Sequence, residues 1–175
     1  MSSPELNISI YDVQAILPIL MLAGFGLAIL VLDTLQKVGT RKHLALISAM
    51  GFGVTAVTAF IHWHNQTPRE VFSGMIYMDG FTQAFTVIFC VAGALTCLLC
   101  RDYLVSQDHD KGEFYAVLLF AVMGMVVMTA AADLLTLFLG IETMTISMYV
   151  VAGFLRHDKR SAESAMKYLI LGALS

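Results

Sequence analysis

Two ionisable side chains stand inside otherwise apolar runs of this sequence. Glu142 lies near the middle of the run 134–155, with no other charged residue within two turns on either side. Lys167 lies early in the run that begins near Ser161. A charge at bilayer depth costs at least ~2.5–3.5 kcal/mol on insertion scales, so an intramembrane charge points to function. A carboxylate there can carry a proton. A nearby lysine suits the role of its coupled cationic partner, because desolvation and neighbouring charge act strongly on both groups. Thr145 and Tyr149 follow Glu142 by three and seven residues, a spacing that puts them on its helix face as supporting polar residues. Thr136, Thr143 and Ser147 form a second hydroxyl stripe. Such hydroxyls either support a hydrated proton path or bond to carbonyls of their own helix, and the residues alone leave both open. Lys167 also has a structural alternative. Glu163 precedes it by four residues, the order that favours a helical ion pair, and its stem can snorkel to the interface.

The remaining chemical residue types carry weaker signals. Cys90, Cys97 and Cys100 share one apolar run; Cys97 and Cys100 make a bare CxxC without the further ligands of a zinc site, and read as packing residues. The imidazoles of His62-Trp63-His64 fall on different helix faces and read as an interfacial pair rather than metal ligands. Gly24-Phe25-Gly26 and Gly51-Phe52-Gly53 lack the third glycine of a dinucleotide loop. Ala45, Ala49 and Gly53 form a small-residue stripe of the kind that packs helices. No basic cluster interleaved with aromatics is present, which excludes a nucleic-acid surface of the usual kind.

The elements that position Glu142 and Lys167 follow from composition and charge. The 175 residues are 58% hydrophobic and 13% charged, with a mean hydropathy of +0.79; soluble domains carry roughly twice that charged share. A span needs roughly 20 apolar residues. The sequence predicts an all-α, polytopic transmembrane helix bundle, a single transmembrane domain over 1–175. Its helices fall at about 13–32, 44–62, 81–100, 114–132 and 134–155, with a sixth, incomplete one at 162–175. As one helix, 114–155 would reach ~63 Å, twice the hydrocarbon thickness, so it must fold back. Asp133 is the expected break, as the N-cap of the next helix. Pro18 is expected to kink the first helix. With the break at Asp133, Lys37, Arg41, Lys42, Arg101, Lys111, Arg156, Lys159 and Arg160 share one side, against Arg69 on the other. Without it the split is nearly even. The positive-inside rule therefore puts the N-terminus outside and Trp63 at the outer interface. Residues 1–12 hold no Lys or Arg, so the first apolar run reads as a retained helix rather than a cleaved leader. The short sixth run suggests a piece of a longer protein.

Beyond these patterns, the run EFYAVLLFAVMGMVVMTAAADLLTLFLGIETMTISMYVVAGF, 113–154, resembles the fourth and fifth helices of the subunit N (subunit 2) family of respiratory complex I, the NADH-quinone oxidoreductase. The run RSAESAMKYLILGALS, 160–175, resembles the start of that family's sixth helix, and Asp79-Gly80-Phe81 resembles the entry to its third. Ile141 stands before Glu142, where the related subunits M and L usually carry Trp. The resemblance implies an antiporter-like fold of about fourteen helices in two inverted repeats, a recurrent transporter design, of which this chain would be the N-terminal part. It implies that Glu142 is the fifth-helix proton carrier and Lys167 the sixth-helix lysine, and that the lysines of later helices lie outside this chain. The expected role is proton translocation coupled to electron transfer from NADH to quinone. The expected partners are other membrane subunits and the lipid bilayer, with no cofactor in this chain. FMN, iron–sulfur clusters, NADH and quinone would belong to other subunits. A bacterial inner membrane is the expected location. Two alternatives are a subunit of a multisubunit cation/proton antiporter and a purely structural membrane subunit.

Overall fold

The structure is a computed structural model that describes residues 10–35, 43–65, 67–106, 111–155 and 158–174. The chain forms α1 (Ile10–Ala15), α2 (Leu17–Leu35), α3 (Leu44–Asn65), β1 (Arg69–Val71), β2 (Ile76–Met78), α4 (Gly80–Ser106), α5 (Gly112–Ala130), α6 (Leu134–Ala152) and α7 (Lys159–Ala173). Among the described residues five helices, α2 to α6, are long and apolar enough to cross a membrane. The protein is an all-α, multi-pass bundle.

α5 is the centre. Tyr115, Ala116, Leu119, Ala121 and Val126 on it are fully buried, and α2, α3, α4 and α6 all pack against it. A helix apolar on every side can be satisfied only in such a position. The core continues through Leu22, Ile29, Phe52, Cys90 and Cys97 on the surrounding helices. Large apolar side chains such as Leu27, Val57, Ile88, Leu99 and Phe138 cover the outer faces. In water this would be prohibitive, and in lipid it carries no penalty.

Several boundaries differ from the sequence expectation, each for a local reason. The first helix is broken at Ile16 rather than continuous. Pro18 has no N–H to give to Gln14, and its ring crowds that carbonyl; Ile16 N–H to Asp12 O (3.2 Å) and Leu20 N–H to Ile16 O (3.1 Å) bridge the break. α4 runs on to Ser106, past the expected end at 100, and buries Leu104. α5 stops at Ala130 because its last residues join a hairpin. The pair β1–β2 is antiparallel, Ile76 bridges Ala131, and Ala132 N–H donates to Met75 O at 3.0 Å. Phe72, Ser73 and Gly74 turn this hairpin with φ of 54°, 56° and 86°. Val71 and Met78 then pack on Ala15 and Ala130, closing that end of the bundle. Of the small stripe Ala45–Ala49–Gly53, Ala45 is buried in the core and Ala49 packs against it, but Gly53 leaves the contact face of α3. That face continues through Ser48, Gly51, Phe52, Thr55 and Ala59, and Gly53 faces open space. A spacing of four residues drifts around a helix of 3.6 residues per turn.

Arg69 stands at the hairpin end, whereas Arg101, Lys111, Lys159 and Arg160 stand where α4 ends and α5 and α7 begin, at the opposite end. Lys37, Arg41, Lys42 and Arg156, used in the charge count, lie outside the described residues.

Candidate functional site

The site is built on α6, and α6 starts where its cap dictates. Asp133 is extended, and its Oδ1 accepts from Thr136 N–H at 2.6 Å. Hydrogen bonding from the Thr136 side chain, and then from its backbone N–H, holds the Asp133 carboxyl below its usual range, with slight burial opposing. The charged form is the better acceptor, so the cap favours it. The helix is then pressed on α5 through glycines. A Cβ on Gly124 would stand 2.5 Å from Met144 N, and one on Gly140 would stand 2.7 Å from Met128 N. Only residues without a side chain let two backbones approach this closely. Thr136, Gly140 and Ser147 are the residues α6 buries.

That contact determines where Glu142 points. Two residues on from Gly140, it is rotated roughly 200° around the axis, away from α5. It is half-buried, and among the described residues its carboxylate has no hydrogen bond or ion pair. The hydroxyls beside it have turned inward on their own helix. Thr145 Oγ1 donates to Ile141 O (2.9 Å) and reaches Glu142 O (3.2 Å); Thr143 donates to Leu139 O and Ser147 to Thr143 O, both at 2.7 Å. Their protons are committed to the backbone, while their lone pairs still accept.

Tyr149, on the Glu142 face, is where α7 docks. Its ring meets Tyr168 edge-on (centroids 5.1 Å apart, 88°), and its hydroxyl fills the space a Gly172 side chain would need. Ala165 lies under Gly153, and Ser161 Oγ donates to Ala152 O at 2.8 Å. Ser161, Ala165, Tyr168 and Gly172 are spaced by four, three and four residues, a helical stripe that could have been read in advance. Lys167 lies off this stripe. Its Nζ pairs with Glu163 Oε1 at 2.5 Å, and the two side chains are 70% and 63% exposed. The Tyr149–Tyr168 contact sets Lys167, the residue before Tyr168, near Tyr149, about two turns along α6 from Glu142. The structure therefore joins the Glu142 face to Tyr149 and α7 but does not bring Glu142 and Lys167 together.

Among the described residues no group of three His, Cys, Asp or Glu is placed to hold a metal ion. Cys90 and Cys97 are buried free thiols on α4. His64 and Trp63 are exposed at the end of α3, while His62 turns inward.

Comparison with known proteins gives the class of this bundle. Residues 131–175, which contain both Glu142 and Lys167, match the family described as NADH:quinone oxidoreductase/Mrp antiporter, TM. Over that segment the chain is similar to this family of antiporter-like membrane subunits. Within it, the likeness is to subunit N. The chain is 38% identical over 172 residues to NADH-quinone oxidoreductase subunit N 1 of Koribacter versatilis, covering 94% of this chain and 34% of that one. It is 39% identical over 171 residues to subunit N 2 of Solibacter usitatus, covering 94% and 35%. It spans about a third of the length of these relatives. Among solved structures, a chain of respiratory complex I from Thermus thermophilus with bound aureothin shares the fold, with a TM-score of 0.74 and 24% identity over 90% of this chain and 33% of that one.

Proposed function

We propose that this chain is the N-terminal part of a membrane-arm subunit of a proton-translocating NADH:quinone oxidoreductase, and that Glu142 carries protons in it. The observation that supports this most is Glu142 itself. It is a half-buried carboxylate on a membrane-length helix, with no partner among the described residues, inside the segment that matches the family. A structural carboxylate would be held by partners, whereas a carrier needs an unpaired state in which to accept or release a proton. Thr145 and Tyr149 offer acceptor lone pairs on the same face, able to order water beside it. Lys167 is its cationic partner within the complete subunit, reached by a change from its Glu163 pair as neighbouring charges shift. Electron transfer from NADH to quinone runs in other subunits, which hold FMN and the iron–sulfur clusters. The membrane partners are antiporter-like and small subunits of the same complex. The membrane is the bacterial inner membrane, with the N-terminus and the hairpin outside, because Arg101, Lys111, Lys159 and Arg160 gather at the other end.

The test uses the full-length subunit in its assembled complex. Glu142→Gln should leave assembly intact and lower proton pumping, with the coupled quinone reductase turnover, by roughly tenfold or more. Glu142→Asp should retain part of both, since the titratable group moves by one methylene. Normal pumping in an assembled Glu142→Gln complex would remove the carrier role. A second reading, a subunit of a multisubunit cation/proton antiporter, is favoured by the family description, which names both systems. Co-purification with an NADH-oxidising arm separates the two.

A further inference from the structure

A second polar site lies at the hairpin end of the α3–α4 seam, on elements the proton-carrier reading does not use. His62 and Trp63 from the end of α3, Thr67 before β1, Met78 at the end of β2, Asp79 after it, and Gly80 and Gln83 from the first turn of α4 enclose a cavity of about 10 Å³. That is roughly the least room that holds one water molecule. Gln83 is 4% exposed, and its Oε1 has no hydrogen-bond partner. The buried Nδ1 of His62 has none either. A buried polar atom left unpaired forfeits its hydration without return, and native proteins almost always avoid this. Here two such atoms belong to residues lining the same water-sized space.

The surroundings supply the missing donor. Trp63 is exposed as a whole, but its indole Nε1 lies 3.2 Å from the point where a Cβ on Gly80 would stand. The absence of that Cβ keeps the N–H open toward the cavity. Asp79 is already engaged as the cap of α4, its Oδ1 accepting from Thr82 N–H at 2.8 Å. It closes the site with negative charge and disfavours an anion.

We propose that this cavity is a binding site for one ordered water molecule. The water donates to Gln83 Oε1 and to Nδ1 of neutral His62, and accepts from Trp63 Nε1–H. Three partners are the usual number for a buried water. The water joins the last turn of α3 to the first turn of α4 behind the hairpin, a seam where no direct side-chain hydrogen bond links the two helices among the described residues.

A high-resolution cryo-EM map of the assembled complex tests this. The expected result is one isolated density within hydrogen-bonding distance of both His62 Nδ1 and Gln83 Oε1. Gln83→Met, close in shape but without the carbonyl, should lose that density, and Gln83→Glu, which keeps an acceptor, should retain it. An empty cavity in the parent overturns the proposal. So does a rotated Gln83 amide bonded directly to His62, or a density at the short distances of a metal ion. Because the parent map decides alone, a variant that fails to assemble does not remove the test.

Discussion

Around Glu142 the bonding is unequal. Thr143, Thr145 and Ser147 have each given their proton to a carbonyl of α6, whereas the carboxylate among them has no partner among the described residues. Lys167 is engaged, but with the exposed Glu163. An exposed i,i+4 pair is worth only about 0.2–0.5 kcal/mol, so it holds Lys167 weakly and can be exchanged. If Lys167 serves proton transfer, Lys167→Arg in the full-length subunit should pump more than Lys167→Ala, since it keeps the charge though not a readily released proton. Pumping equal to the parent by both variants, measured in inverted vesicles, would leave Lys167 an ion-paired surface residue. Asp133 allows a pH test. Its carboxyl is held low in the fold by Thr136, so the stability it contributes is present above the carboxyl's unfolded value and is lost as pH falls through the lowered folded value. Asp133→Asn keeps an acceptor for the cap without the charge. Its melting temperature in detergent should therefore fall less than the parent's on acidification. An identical acid profile would show that Asp133 does not carry the effect.

At the scale of elements, glycine placement separates contact from decoration. Gly124 and Gly140 face backbone atoms of the opposite helix, which cannot step aside, whereas Gly24 and Gly53 face nothing within 4 Å. Gly124→Ala and Gly140→Ala should each destabilise the bundle by about 1–3 kcal/mol through forced separation of α5 and α6. Gly24→Ala and Gly53→Ala should be neutral or slightly stabilising, because Gly costs about 1 kcal/mol against Ala inside a helix. Thermal melts of the four variants check the contrast, and a uniform response would refute the close α5–α6 approach. The sequence does not distinguish these glycines, which all sit in apolar runs and differ only in what lies opposite. The same limit explains Gly53, expected at a packing face and found outside it. Asp133 was legible as the cap because capping is local: one side chain, three residues, one N–H. The hairpin 69–78 was not, because its turn places Phe72 and Ser73 at positive φ, a conformation those residue types do not advertise. Glu142 stands out in the sequence only by its place in an apolar run. That Lys167 stands off the α6-facing stripe is legible in the spacing of Ser161, Ala165, Tyr168 and Gly172.

At the scale of the whole molecule, the direction in which the bundle crosses the membrane decides which aqueous phase each end of the Glu142 path would meet. Hydropathy alone counts spans without orienting them, and charge supplies the orientation. The exposed turn at Ser73 lies at the Arg69 end, and the exposed end of α4 at Ser106 lies beside Arg101 and Lys111. If the basic end is cytoplasmic, as the charge bias requires, the two serines report opposite phases. With Cys90, Cys97 and Cys100 replaced by Ala or Ser, Ser106→Cys should react with a membrane-impermeant thiol reagent only in inverted vesicles. Ser73→Cys should react only in right-side-out cells or spheroplasts. The background substitutions require their own check, since Cys90 and Cys97 are buried against the core and truncating them removes packing; retained assembly on a native gel is the entry condition. Reaction of Ser73→Cys only from the cytoplasmic side would invert the subunit and exchange the two ends of any proton path through Glu142. Reaction of both sites from one side would break the antiparallel relation between the hairpin and the end of α4. The five-span arrangement would fall with it, including the fold-back at Asp133 that gives Glu142 its depth.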